Sequence, residues 1–222
     1  MDVLVRTLSE FALFADLDQA ALQEIASYVT EHTYDAGQII TLADEPCQGV
    51  YLIVQGIVST RRLSISGREY VLDYLGPGEW FNLVPVLDGG TSLATTEALS
   101  RVVLYVMPCP RLQQAVQTYP TVSAAVLSHL AHRVRYLSDT VEDLALHTVR
   151  TRLARFLLNR ADDTHADRRR WTQEEIAAHI GTVRDVVGRT LRNFSREGLI
   201  RREKGHLVVA DREKLETEAM SE

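Results

Sequence analysis

Arg184, Asp185, Arg189 and Arg192 stand within the stretch "HIGTVRDVVGRTLR". Arginine presents a planar fork that can bond guanine N7 and O6 together, and a carboxylate accepts from cytosine N4. Two arginines at i and i+5 with an acid at i+1 would set readers on adjacent base pairs. The chemistry on offer is recognition of base edges in a major groove, with flanking arginines holding phosphates. Charge along the chain agrees. The 222 residues carry a formal net charge of −6, yet residues 149–206 hold 14 Lys and Arg against 8 Asp and Glu, net +6. Residues 1–148 hold 8 against 17, net −9. A basic block in an acidic chain suits a polyanionic partner for one part and a separate task for the other.

The elements that must position these residues are legible around them. Thr172 with Glu175 three residues later forms a capping box. The helix it opens buries Ile176 and Ile180, and Gly181 stops it. On the helix that follows, Val183, Val186, Val187, Thr190, Leu191 and Phe194 share one arc at helical spacing. Arg184, Asp185, Gly188, Arg189, Arg192 and Arg196 share the other. The first arc packs; the second faces out, where Gly188 is expected to let a partner approach closely. Gly198 ends the helix. "LIRREKGHLVV" reads as a hairpin wing that carries Arg201 and turns at Lys204–Gly205. Thr148 reads as the cap of an earlier amphipathic helix, "VRTRLARFLLNRA", and "ADDTHADRRR" as a polar loop.

Upstream the pattern differs. Asp18 can cap a helix from Gln19, with Leu22, Ile25 and Val29 on one face. After Gly37 the chain is rich in β-branched and aromatic residues and is broken at short intervals by Gly and Pro, which predicts a β-sandwich or barrel. "SISGRE" reads as a hairpin turn at Gly67. Pro108 ends the last strand, and helix is expected from about Pro110. There Leu127, Leu130, Val134, Leu137, Val141 and Leu144 are spaced 3, 4, 3, 4, 3. That a/d seam, on a helix roughly 30 Å long, predicts a two-stranded coiled coil between two copies of the chain. His129 and His132 lie off the seam and are expected on the exposed surface.

Other function classes lack support. No run of 18 apolar residues predicts a membrane span, and the first residues lack a signal peptide's pattern, so a cytoplasmic protein is expected. Cys47 and Cys109 are too few for a disulfide framework or a four-cysteine cluster and read as small hydrophobes; a redox role for either thiol is the alternative. No paired-carboxylate, Ser/His/Asp or metal-ligand cluster suggests an enzyme.

Barrel, seam helix and winged helix-turn-helix, in this order, resemble the superfamily of the cyclic-AMP receptor protein and the fumarate–nitrate regulator (Crp/Fnr). "LFADLD" and "YDAGQIITLADEPCQGVYLIVQGIVSTRRLSISGREYVLDYLGPGEWF" look like its sensor barrel. "TQEEIAAHIGTVRDVVGRTLR" matches its recognition motif. The resemblance implies an α+β fold with a sensor β-barrel (jelly roll) of the cyclic-nucleotide-binding type over residues 1–109, a dimerisation helix and hinge over 110–147, and a winged helix-turn-helix over 148–222. It implies a homodimeric transcription regulator on an inverted-repeat operator in double-stranded DNA, with RNA polymerase as a candidate partner. Its DNA-contact set would be Thr172, Thr182, Arg184, Asp185, Gly188, Arg189, Arg192 and Arg201. Relatives that read a TGTGA-type half-site carry Glu in place of Asp185.

The sensor stretch departs from the family pattern. The Gly-Glu pair that contacts a ribose has become Asn82-Leu83, and the Arg-Ser pair that holds the phosphate has become Ser92-Leu93. The pocket set implied is Asn82, Leu83, Ser92, Leu93, Thr95 and Ser138, with no cation among them. Backbone amides at Gly89 and Gly90 are left as a weaker anion site. Cyclic AMP is therefore not expected as effector, and the sequence requires no cofactor. The alternatives are a regulator active without effector and a haem- or redox-sensing relative. No Cys or His lies between Gly78 and Thr96 to ligate haem.

Overall fold

The computed structural model describes residues 2–65, 69–162, 171–203 and 206–221. The chain divides into two compact units, Met1–Arg62 with Val71–Val134 and Leu63–Tyr70 with Arg135–Glu222.

The first unit opens with helices α1 (Asp2–Ser9) and α2 (Gln19–Ala26), and the Asp18 side chain accepts from the Ala21 amide as the α2 cap. Strands β1 (Thr30–Tyr34), β2 (Ile39–Thr41), β3 (Gly49–Gln55), β4 (Val58–Leu63), β5 (Glu69–Leu75) and β6 (Trp80–Phe81) follow, then α3 (Leu83–Asp88), β7 (Thr95–Ala98) and β8 (Val102–Pro108). They form two four-stranded sheets, ordered β1-β8-β3-β6 and β2-β7-β4-β5. The layout is a jelly roll rather than a closed barrel, because the sheets meet through side chains and share no continuous ladder. Tyr51, Ile53, Val58, Phe81 and Leu104 fill the space between them. Val50 and Leu52 point the other way, against Phe11, Phe14, Met107 and Leu112. Successive side chains of a strand face opposite sides, so a strand covered on both faces reads as an unbroken apolar run. That is why "VYLI" in β3 does not alternate.

The helical region after the strands is two helices, α4 (Cys109–Thr118) and α5 (Pro120–Leu146). Proline has no amide hydrogen and suits the first helical position, and it biases the preceding residue toward extended backbone. Tyr119 accordingly takes φ −113 and ψ 106, and a new helix starts at Pro120. Val122 and Val126 of α5 are buried in the first unit's core, and the boundary between units falls inside α5, after Val134.

In the second unit Arg152 donates to the carbonyls of Asp143, Leu144 and His147, serving acceptors that the end of α5 leaves open. The Thr148 hydroxyl accepts from the Thr151 amide at the head of α6 (Val149–Asp162). Helices α7 (Gln173–Ile180) and α8 (Arg184–Arg196) and strands β9 (Ile200–Glu203) and β10 (His206–Val209) complete the winged motif. Leu153, Ile176, Val187, Phe194 and Leu215 form its core. Leu215 belongs to α9 (Arg212–Met220), a helix the sequence reading lacks; Asp211 caps it and Ala219 is buried with Leu215. Arg150 joins this helix to α8's end, bonding Glu218 at 2.6 Å and Glu197 at 2.5 Å. The expected turns at Gly67 and Lys204–Gly205, and most of the "ADDTHADRRR" loop, lie outside the described residues.

Candidate nucleic-acid interface and sensor cavity

Helix α7 is set by its capping box. The Thr172 hydroxyl accepts from the Glu175 amide at 3.2 Å, and Glu175 accepts from the Thr172 amide at 2.7 Å. Gly181 ends α7 with φ +68, which only glycine adopts without strain, and the Thr182 amide returns to the Ala177 carbonyl. Two residues later α8 begins. Val187, Thr190, Leu191 and Phe194 are buried, while Arg184, Asp185, Arg189, Arg192 and Arg196 are exposed along the opposite face. Arg201 is exposed on the wing, beside Glu203 at 2.7 Å. The arrangement offers a row of cationic forks and one carboxylate on a rigid helix.

Two residues sit differently from the sequence reading. Gly188 is buried, not outward: a Cβ there would come within 2.8 Å of the Gln173 side-chain oxygen. Its small size serves the close packing of α7 on α8. Val183 precedes α8's first turn and is exposed, because it caps the helix instead of joining its packed arc. Thr172 is exposed and Thr182 half-buried, and the Thr172 hydroxyl is already engaged in the cap.

Along α5 the seam residue Leu130 packs on the first unit's core. Leu127 is 67% exposed, Val134 67% and Val141 64%, with Leu137 and Leu144 also exposed. These side chains form an exposed apolar stripe.

The sensor side holds a cavity of about 140 Å³ beneath α3, walled by Trp80, Asn82, Leu83, Leu93, His129 and Arg133. Of the six pocket residues the sequence reading names, Asn82, Leu83 and Leu93 line it. Ser92 does not; it is buried, and its backbone bonds Asp44 and Glu45. The Thr95 hydroxyl accepts from the Ala43 amide. Ser138 is exposed on α5. The Gly89 amide donates to Pro85 and the Gly90 amide to the Asp88 carboxylate, so neither is left for an anion.

The cavity does have a cation, from α5 rather than from the sensor stretch. Arg133 meets both oxygens of Asp73 on β5, at 2.6 and 2.5 Å. Burial raises the Asp73 carboxyl pKa above its ordinary value, and Arg133 pulls it back down. His129 is half-buried, not exposed as read. Its ring lies 4.8 Å from that of Trp80, and burial followed by nearby Arg133 lowers its pKa. The long α5 carries Arg133 to a strand residue 60 positions earlier and His129 to one 49 earlier, contacts that no local spacing announces. The Thr60 hydroxyl and the Trp80 indole nitrogen belong to residues lining the same cavity, buried with no hydrogen-bond partner among the described residues.

No helix among the described residues is long and apolar enough to cross a membrane. No group of three or more His, Cys, Asp or Glu among them could hold a metal ion.

A cyclic nucleotide-binding domain matches residues 31–119, and a Crp-like helix-turn-helix domain matches residues 151–218. The CRP-like cAMP-activated global transcriptional regulator of Mycobacterium tuberculosis is 26% identical over 219 residues, covering 94% of this chain and 96% of its own. The cyclic AMP receptor protein of Thermus thermophilus is 28% identical over 204 residues, covering 92% and 94%. Among solved structures, a Crp/Fnr-family regulator from Eubacterium rectale superposes with a TM-score of 0.80 at 26% identity, over 96% of this chain and all of the other.

Proposed function

This chain belongs to the Crp/Fnr superfamily of transcription regulators and carries its helix-turn-helix DNA-binding domain, and from that premise we propose that it acts as a homodimer reading an inverted-repeat operator without cyclic AMP. The observation that carries the DNA-reading role is α8, whose buried face fixes it in the domain while Arg184, Asp185 and Arg189 stand exposed as base readers. Thr172, Thr182, Arg192 and Arg201 flank them as backbone contacts, and Gly188 supports the set by packing rather than by touching DNA. The exposed stripe of α5 supports pairing of two copies through Leu127, Leu130, Val134, Leu137, Val141 and Leu144. A two-fold dimer presents two recognition helices to half-sites one helical turn apart.

The Mycobacterium and Thermus relatives are named for cyclic AMP. In this chain the cavity is well below the roughly 300–1,000 Å³ of ordinary ligand pockets. A cyclic nucleotide also brings a phosphate charge that must be paired when buried. Arg133, the cation at the cavity, is already matched by Asp73. Trp80's indole N–H and the Thr60 hydroxyl, among walls of Leu83 and Leu93, favour a small apolar or aromatic molecule with one hydrogen-bond acceptor. RNA polymerase is the partner through which such a regulator would act.

Selection of binding sites from random DNA duplexes, with light scattering of the free protein, tests the reading. The expected result is a two-fold symmetric site bound by two chains. A monomer on an asymmetric site would contradict it.

A further inference from the structure

Cys47 and Cys109 are 62 residues apart in sequence, and the fold brings their sulfur atoms to 3.1 Å. Cys47 lies in the loop that enters β3, and Cys109 is the first residue of α4. The end of the β3–β8 ladder holds them there: Gly49 pairs with Pro108, and the Cys109 amide meets the Gln48 carbonyl at 3.4 Å. Both thiols are partly exposed, so a small reagent can reach them. A disulfide needs sulfurs at about 2.05 Å, so the bond would close with a movement of roughly 1 Å.

From this juxtaposition we propose that Cys47 and Cys109 are a reversible dithiol–disulfide site, oxidised by peroxides. Cys109 attacks one oxygen of hydrogen peroxide. The O–O bond breaks, water leaves after proton uptake, and Cys109 becomes a sulfenic acid. The Cys47 sulfur then attacks the Cys109 sulfur. The S–O bond breaks, and the hydroxyl leaves as water with the Cys47 proton. Two thiols are oxidised and one peroxide is reduced to two waters. Burial and the neighbouring Cys109 raise the Cys47 thiol, which suits Cys47 to the resolving step.

The site is tied to the sensor cavity. The Asn82 amide group lies 3.4 Å from the Cys47 sulfur and donates to the Gly49 carbonyl at 3.1 Å, and Asn82 also lines the cavity. On the other side Gln113 of α4 donates to the Val86 carbonyl of α3 at 2.6 Å. Drawing Cys47 toward Cys109 removes an acceptor from Asn82 and fixes α4 against the loop, and both changes reach α3. A disulfide in a reducing compartment is as a rule a transient, sensing one, which suits a regulator.

The test treats the full-length protein with hydrogen peroxide. Intact mass should fall by two hydrogens, peptide mapping should link Cys47 to Cys109 within one chain, and dithiothreitol should reverse both. In Cys47→Ser the reaction should stop at a sulfenic acid on Cys109 that dimedone traps. Hydrogen exchange of residues 83–88 should change on oxidation in the parent and not in Cys109→Ser. Two thiols still open to alkylation after peroxide, or a link between chains, would overturn the site. Unchanged exchange in α3 would overturn its coupling to the cavity.

Discussion

On α8 the cations Arg184, Arg189 and Arg192 stand exposed on a helix whose other face is buried, whereas at the sensor cavity Arg133 is gripped by both oxygens of Asp73. Both regions carry arginine, facing outward on α8 and, at the cavity, as Arg133 of α5 rather than of the sensor stretch. One leaves its charge open to a polyanion; the other has answered it from within the chain. On the proposed reading, the difference teaches that a matching domain need not carry its relatives' ligand with it. The reading surface depends on a few exposed side chains on a rigid helix, and these persist. A nucleotide pocket depends on unpaired charge and free volume, whereas at the cavity Arg133 is paired with Asp73, and Asn82 and Leu83 form part of the wall.

The largest expected effect lies on α5, which the account needs in order to present two copies of α8 at once. Leu137→Glu would bring like charges together in the seam and should give a monomer by light scattering. Operator affinity should fall by about 10²-fold or more as the second contact is lost; an intact dimer would break the assignment of the seam. On α8 itself, Arg184→Ala and Arg189→Ala should each cost about 1–3 kcal/mol on the selected operator and relax preference at one position per half-site. An equal loss on random DNA would make them phosphate contacts.

At the cavity, Asp73→Asn removes the answering charge. It should lower stability by about 1–2 kcal/mol, since the pair is only partly buried. It should also let small anions protect the protein against heat, where the parent shows no such protection. If anions protect parent and variant alike, the contrast with α8 fails.

The smallest effect concerns pH. His179 is packed near Phe156 and Trp171, and burial, followed by the neighbouring Arg160, lowers its pKa below the ordinary 6.5. The unfolded chain therefore takes up a proton before the folded one does. Stability of the winged domain should be complete above 6.5 and should decline as pH falls from there toward the lowered folded value. His179→Gln should flatten that slope in thermal melts followed by Trp171 fluorescence.

How much of this was legible follows the range of the interactions. Thr172 and Glu175, Gly181, the a/d stripe of α5 and the arcs of α8 apart from Val183 and Gly188 are local patterns that appear in the structure where the spacing puts them. Gly188 was read wrongly because its neighbour, Gln173, belongs to another helix. Arg133 with Asp73, His129 against Trp80, and Cys47 beside Cys109 join segments 49 to 62 positions apart, so no short window of sequence holds both partners. Helix α9 was missed although Asp211 is a regular cap, because its apolar face is only Leu215 and Ala219. The double coverage of β3 became clear only when α1, α2 and α4 were found on its outer face.

The central claim is that DNA reading has been kept while the nucleotide response has been lost. It is tested most directly by titrating the selected operator with purified apo protein, with and without cyclic AMP, alongside calorimetry of the nucleotide alone. The account predicts specific binding by the apo protein, unchanged by cyclic AMP, and no measurable heat of nucleotide binding. A cyclic AMP dissociation constant below about 10 μM, accompanied by tighter operator binding, would contradict it.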